Sequence, residues 1–189
     1  SGVTQLVCTG WTMVGNEPES GAGTNFVANM TNDAVLTWHW ATNFWLDTEA
    51  GLNGEIYVAD GWQAAGDDVL IAATASNGYH FSMWGGDTDG CTIVGDQITV
   101  PMDKPRTITA TFEINVYGIT ATAGVNGSVI PSGVVPVTHG GSTSITVLAM
   151  AGAHIIQIQV DGTNTDVYTP QDTTRSIAFS NVVSDHVLT

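Results

Sequence analysis

The sequence predicts an all-β protein built of tandem small β modules, β-grasp-like or β-sandwich-like, with little or no helix. Three observations carry this expectation: the chain repeats itself, its strand-forming residues alternate in short runs, and turn dipeptides separate the runs. The segment Ala50-Gly51-Leu52-Asn53-Gly54-Glu55-Ile56 returns as Ala123-Gly124-Val125-Asn126-Gly127-Ser128-Val129. Further matches follow in the same order, Gly66 with Gly140, Gly78-Tyr79-His80-Phe81 with Gly152-Ala153-His154-Ile155, and Ile98-Thr99-Val100 with Ile177-Ala178-Phe179.

In chain order, the strand signals are Val35 to Trp40, Val69 to Ala75, Thr107 to Ile114, Thr143 to Val147 and Ile156 to Val160, all rich in Thr, Val, Ile and aromatics. In the last run Ile156, Ile158 and Val160 are expected on one face, with Gln157 and Gln159 on the other. Between the runs lie Asn53-Gly54, Asp60-Gly61, Asn77-Gly78, Asp89-Gly90, Asn126-Gly127 and Asp161-Gly162. Asn, Asp and Gly tolerate positive φ, so these dipeptides mark hairpin corners. No segment holds a 3.6-residue period over three turns, which is why little helix is expected.

The N-terminal part aligns with the back half of a module. Phe26 to Trp40 lies on Ile98 to Phe112 without a gap, and Cys8-Thr9 then takes the place of Cys91-Thr92. The domain expectation is therefore a first β module over residues 1–115, with a half-module extension (1–45) packed on it, and a second β module over 116–189. The second is expected to lack its final strand step, because the first ends Thr107-Ile108-Thr109-Ala110-Thr111-Phe112 and the second ends His186-Val187-Leu188-Thr189.

Residues Gly54, Ile56, Gly66, Ala75, Gly78, Tyr79, Phe81, Trp84, Gly86, Asp87, Met102, Asp103, Ala110 and Phe112 together follow a pattern that resembles the divergent internalin B-type repeat of bacterial surface proteins. The resemblance covers residues 46–115 well. Residues 116–189 depart from it, with Ile158 in place of Trp84 and Ala153 in place of Tyr79. It implies a compact β-grasp-like or sandwich-like unit, a spacer or adhesive scaffold, and no catalytic residues to carry over.

Composition narrows the partners. Only Lys104, Arg106 and Arg175 are basic against 18 acidic residues, giving a formal charge of -15 and a pI near 4.1. Such a field repels nucleic-acid phosphates and anionic lipid, so neither is an expected partner. No stretch approaches the roughly 18 to 20 apolar residues of a membrane-crossing helix, so no membrane insertion is expected. Scarce Lys and Arg leave few sites for trypsin-like proteases, which suits a secreted or cell-surface protein. Cys8 and Cys91 make one disulfide in that setting or two buried free thiols. A bridge closing so long a loop would contribute roughly 4 to 5 kcal/mol.

Candidate site residues are few. Asp87-Thr88-Asp89-Gly90 has the spacing used by oxygen-coordinated cations, so Asp87 and Asp89 are candidate calcium ligands, although an isolated motif of this kind more often makes a turn. Trp11, Trp38, Trp40, Trp45, Trp62 and Trp84 all lie in the first half. Core packing explains most of them. Trp11 and Trp62, flanked by turn residues, are the candidates for stacking on sugars. The five histidines show no metal-ligand spacing, and neither a nucleophile elbow nor a phosphate-cradling glycine loop appears. The functional expectation is a non-enzymatic, extracellular structural module, part of a bacterial stalk, adhesin or filament. It needs no cofactor, with calcium as the one candidate, and its partners are copies of itself or adjacent modules, joined head to tail by strand complementation. A carbohydrate-binding module is the alternative.

Overall fold

A computed structural model describes residues 3–189. Every regular element among them is a β-strand, so the fold is all-β. The chain forms two compact units, one made of the stretch up to Ala75 with Phe81–Phe112, the other of Ser76–His80 with Glu113–Thr189.

The first unit is built from β1 (Thr4–Val14), β2 (Ser20–Gly21), β3 (Val35–Ala50), β4 (Gly54–Ile56), β5 (Gly61–Ala64), β6 (Asp68–Ala75), β7 (Tyr79–Gly86), β8 (Thr92–Val94), β9 (Gln97–Pro101) and β10 (Arg106–Ile114). β3 serves two neighbourhoods in succession. Its first half pairs antiparallel with β1, from Val14↔Val35 to Thr4↔Phe44, with a bulge between Cys8 and Gly10. Its second half lies between β5, antiparallel at Leu46↔Gly61, and β10, parallel from Leu46↔Arg106 to Ala50↔Ala110. β7 flanks β10 on the far side. A second, antiparallel sheet runs β4-β6-β9-β8.

Alternation along β10 turns Arg106, Ile108, Ala110 and Phe112 inward, because successive side chains of a strand point to opposite faces. Ile108, Ala110 and Phe112 share one core with Leu46 of β3, Trp84 of β7, Ile71 and Ala73 of β6, and Ile98 and Val100 of β9. Two sheets facing one another across an apolar layer make this unit a sandwich rather than a helix-bearing β-grasp.

The second unit uses β11 (Val116–Ala121), β12 (Gly127–Ile130), β13 (Gly133–Thr138), β14 (Thr143–Ala149), β15 (Gln159–Val160), β16 (Thr163–Asn164), β17 (Thr174–Phe179) and β18 (His186–Leu188). β11 lies between β13, antiparallel at Ile119↔Val135, and β18, parallel from Ile119↔His186. This is the arrangement of β3 between β5 and β10. The facing sheet is β12-β14-β17, and the core holds Ile119, Ala121, Ile145, Ile158, Phe179, Val182 and Leu188.

The two units differ at one edge. β10 has nine residues and β18 three. Residues 153–158, which align with β7, join no ladder, and β15 meets β18 only at Val160↔Leu188. The strand expected over 156–160 is therefore present only at its last two residues. The face expected for Ile156 is also corrected: Ile156 is 80% exposed, whereas Ile155 and Ile158 are buried. A strand without a partner is not held to a two-residue alternation, and the pair three apart repeats the placement of Phe81 and Trp84 in the first core.

Five of the six expected corner dipeptides carry positive φ, at Asn53, Gly78, Gly90, Asn126, and both Asp161 and Gly162. Asp161-Gly162 closes β15 onto β16 through a two-residue loop, Val160↔Thr163. Asp60-Gly61 differs. Gly61 already lies in β5, and the Asp60 carboxylate accepts hydrogen bonds from the Thr48 N–H (2.7 Å) and hydroxyl (2.9 Å) instead of turning a corner.

Candidate functional sites

The loop carrying Asp87 and Asp89 is organised by an arginine. β10 begins with Arg106, whose inward-facing side chain is 3% exposed. Its Nη1 donates to the backbone carbonyls of Asp87 (2.9 Å) and Asp89 (2.6 Å), and its Nη2 pairs with the Asp103 carboxylate at 2.8 Å. The Asp87 carboxylate accepts the Thr107 N–H at 3.0 Å and so caps β10. A calcium ion would need converging oxygens, but here the converging carbonyls already hold a guanidinium cation. Among the described residues no group of three or more His, Cys, Asp or Glu side chains is arranged to hold a metal. Arg106 also holds the carboxyl of Asp103 below the usual carboxylate range, chiefly through their hydrogen bond. The sequence signal for this role is one of only two arginines, placed three residues after Asp103 in so acidic a chain.

The cysteine bridge is not formed: Cys8 and Cys91 are both free. Each thiol has its own local surroundings. Cys8, within β1, lies 3.6 Å from the Gly10 carbonyl and 3.7 Å from that of Gly23, whereas Cys91 sits just before β8, 3.8 Å from the Asp87 carbonyl. Burial pushes the Cys91 thiol above its usual range, partly offset by the positive charge of Arg106. β1 flanks the first half of β3 as β7 flanks β10, so Cys8 does not occupy the position of Cys91.

The tryptophans split differently from expectation. Trp11 is 5% exposed, with its ring edge-on to Phe26 (4.7 Å between centroids) and against Gly21, so it is a core residue and not a sugar platform. Trp62 is half-buried on β5 and edge-on to Trp45 at 5.3 Å. The exposed ring is Trp40, at 59%, which lines a shallow 160 Å³ hollow with Trp38, Cys8 and Thr24. Core alignment with Phe112 hid it from sequence reasoning.

The second unit carries a groove at a place that is filled in the first. Gly127, Val129, Val147, Ala149, Ile155 and Ile158 line a cavity of about 340 Å³, with Thr189 at its rim. In the first unit, the matching residues Gly54, Ile56, Ala73, Ala75, Phe81 and Trp84 surround Phe112. Phe112 packs edge-on to Phe81 at 6.2 Å and lies directly over Gly54. The groove's wall is partly polar as well, through Thr122, Asn126, His154 and Gln157.

Comparison with known proteins matches residues 45–116 to the family model of the divergent InlB B-repeat domain. No curated protein and no solved structure matches the chain. The matched stretch runs from the second half of β3 through β10 and leaves out β1, β2 and the first half of β3. The repeat spanning residues 45–116 is therefore a divergent InlB B-repeat domain.

Proposed function

We propose that this chain is a non-enzymatic structural segment of a bacterial surface stalk, adhesin or filament, located outside the cell, whose β units join head to tail by strand complementation. The observation that carries this reading is the recurrence of one strand plan in both units, including the parallel pair Leu46↔Arg106 and its counterpart Ile119↔His186. A chain that repeats a whole module gains length rather than a new site. The divergent InlB B-repeat match supports a bacterial surface module in particular. The expected partners are other copies or adjacent modules, and the charge of -15 disfavours nucleic acid and anionic membranes.

Light scattering and negative-stain electron microscopy of the purified chain over a range of concentrations test the assembly. Growth of end-to-end oligomers is the expected result. A strict monomer at the highest concentration removes assembly between separate chains.

A second reading, glycan binding, is favoured by the exposure of Trp40 beside Trp38. A glycan array that registers hits abolished by Trp40→Ala supports it, and an array without hits removes it.

A further inference from the structure

A protease that cuts after Lys or Arg takes the basic side chain into a pocket and holds the flanking backbone extended in its cleft, so both must come free of the fold. The chain offers such an enzyme three residues, Lys104, Arg106 and Arg175, and each is closed in a different way. Lys104 is exposed in the bend between β9 and β10, but the bond after it leads into Pro105. That bond is a tertiary amide without an N–H, and the proline ring crowds the leaving-group side of the cleft. Arg106 precedes an ordinary peptide bond but is 3% exposed, its guanidinium held by the Asp87 and Asp89 carbonyls and the Asp103 carboxylate. The bond itself is engaged too. The Thr107 N–H donates to the Asp87 carboxylate at 3.0 Å, the Thr107 carbonyl accepts the Asp87 N–H at 2.7 Å, and β10 is flanked on both sides by β3 and β7. The Arg175 side chain is 41% exposed, yet it pairs with Asp172 at 3.4 Å and Asp166 at 3.9 Å and lies over the Tyr168 ring. Both residues of the bond that follows it are paired to β14, at Val147↔Arg175 and Thr146↔Ser176.

We infer that the fold gates cleavage after basic residues: the folded chain resists proteases of this specificity, and each of its two cleavable bonds opens only when the unit that carries it unfolds. Scarcity lowers the number of sites, and the fold closes those that remain. Arg106 belongs to the first unit and Arg175 to the second, so the two cuts report on different units. Cleavage through an opened state follows the population of that state when reclosing is fast, so each cut should rise with the unfolding of its own unit. The inference is independent of whether chains assemble head to tail, because it concerns bonds inside each unit.

The test is a short pulse of trypsin on the intact chain in buffer and at stepped urea concentrations, with the fragments identified by mass. In buffer the chain is expected to stay whole. The cut after Arg106 should then appear along the tryptophan fluorescence transition, since all six tryptophans lie in the first unit, and the cut after Arg175 along the unfolding of the second. No urea concentration should produce a cut after Lys104 in the parent, whereas Pro105→Ala should add that cut once the first unit unfolds. Val27→Lys is the control for access: position 27 is 88% exposed in the stretch between β2 and β3 that joins no ladder, so this variant should be cut there in buffer. Cuts after Arg106 or Arg175 in buffer at about the rate of the Val27→Lys cut overturn the inference. So does resistance of Val27→Lys itself, because protection would then not come from the placement of the three basic residues.

Discussion

The ring of Phe112 lies so close over Gly54 that a β-carbon on the glycine would enter the ring, whereas the equivalent Gly127 faces only ordinary contacts. Two glycines that align in the repeat therefore have opposite tolerance. Gly54→Ala is expected to lower stability by about 1–3 kcal/mol, the usual cost of overpacking a filled core. Gly127→Ala should stay within about 0.5 kcal/mol. All six tryptophans belong to the first unit, so tryptophan fluorescence during urea unfolding reports that unit separately while circular dichroism reports both. Equal losses for the two variants would contradict the difference in packing.

That contrast also shows what was legible in the sequence. The repeat located both glycines, both closing strands and the equivalence of Ile158 with Trp84, because the same core demands the same residue types in the same order. Two-residue alternation placed β6, β10 and β14 but failed at Ile156, where no neighbouring strand enforces the pleat. The Asp-x-Asp-Gly spacing points to carboxylate ligands, whereas the contact this loop makes is between its Asp87 and Asp89 backbone carbonyls and Arg106, from a strand that follows 17 residues after Asp89. Local spacing does not encode which distant side chain reaches those two carbonyls. Exposure of Trp40 was hidden for a similar reason. Its alignment with Phe112 predicted burial, but around β3 the facing sheet covers only the second half of the strand.

Replacement of Arg106 tests the internal cation. Arg106→Ala leaves the Asp87 and Asp89 carbonyls without their charged donor, and such hydrogen bonds contribute about 1.5–3 kcal/mol each. A loss of about 3 kcal/mol is expected. Arg106→Lys should rescue little, because one ammonium group cannot reproduce the planar fork that reaches two carbonyls and Asp103 together. The thermal midpoint of the parent chain should be the same in calcium and in chelator. A rise of several degrees with calcium would show that the loop takes an ion after all.

Thiol titration tests the cysteines. Without reductant, two thiols per chain are expected, since Cys8 and Cys91 are free. Burial raises the Cys91 pKa, so at pH 8 less of it is thiolate than for an ordinary cysteine. In the Cys8→Ser variant the remaining thiol should react slowly in the folded chain and quickly in urea. A count of zero in the parent would establish a bridge and overturn the finding.

The acid response has a traceable part at Asp161. This residue holds positive φ in the β15–β16 turn, and its carboxylate pairs with His186 Nδ1 at 2.7 Å and accepts the Val187 N–H at 2.8 Å, tying the turn to β18. The hydrogen bond with His186, then that from Val187, holds its carboxyl below the usual range. A depressed carboxyl pKa contributes stability that is complete above the unfolded value, near pH 4, and is lost as pH falls through the folded value. Protonation elsewhere also relieves repulsion in a chain of charge -15, so the pH profile of the parent alone mixes two opposing effects. Comparison with Asp161→Asn separates them, because asparagine tolerates the same positive φ and removes only the ionised carboxylate. The variant should be less stable than the parent at pH 7, and the two urea midpoints should converge as pH falls below about 4. A gap that stays constant down to pH 2.5 would mean that Asp161 acts through turn geometry alone and not through its charge.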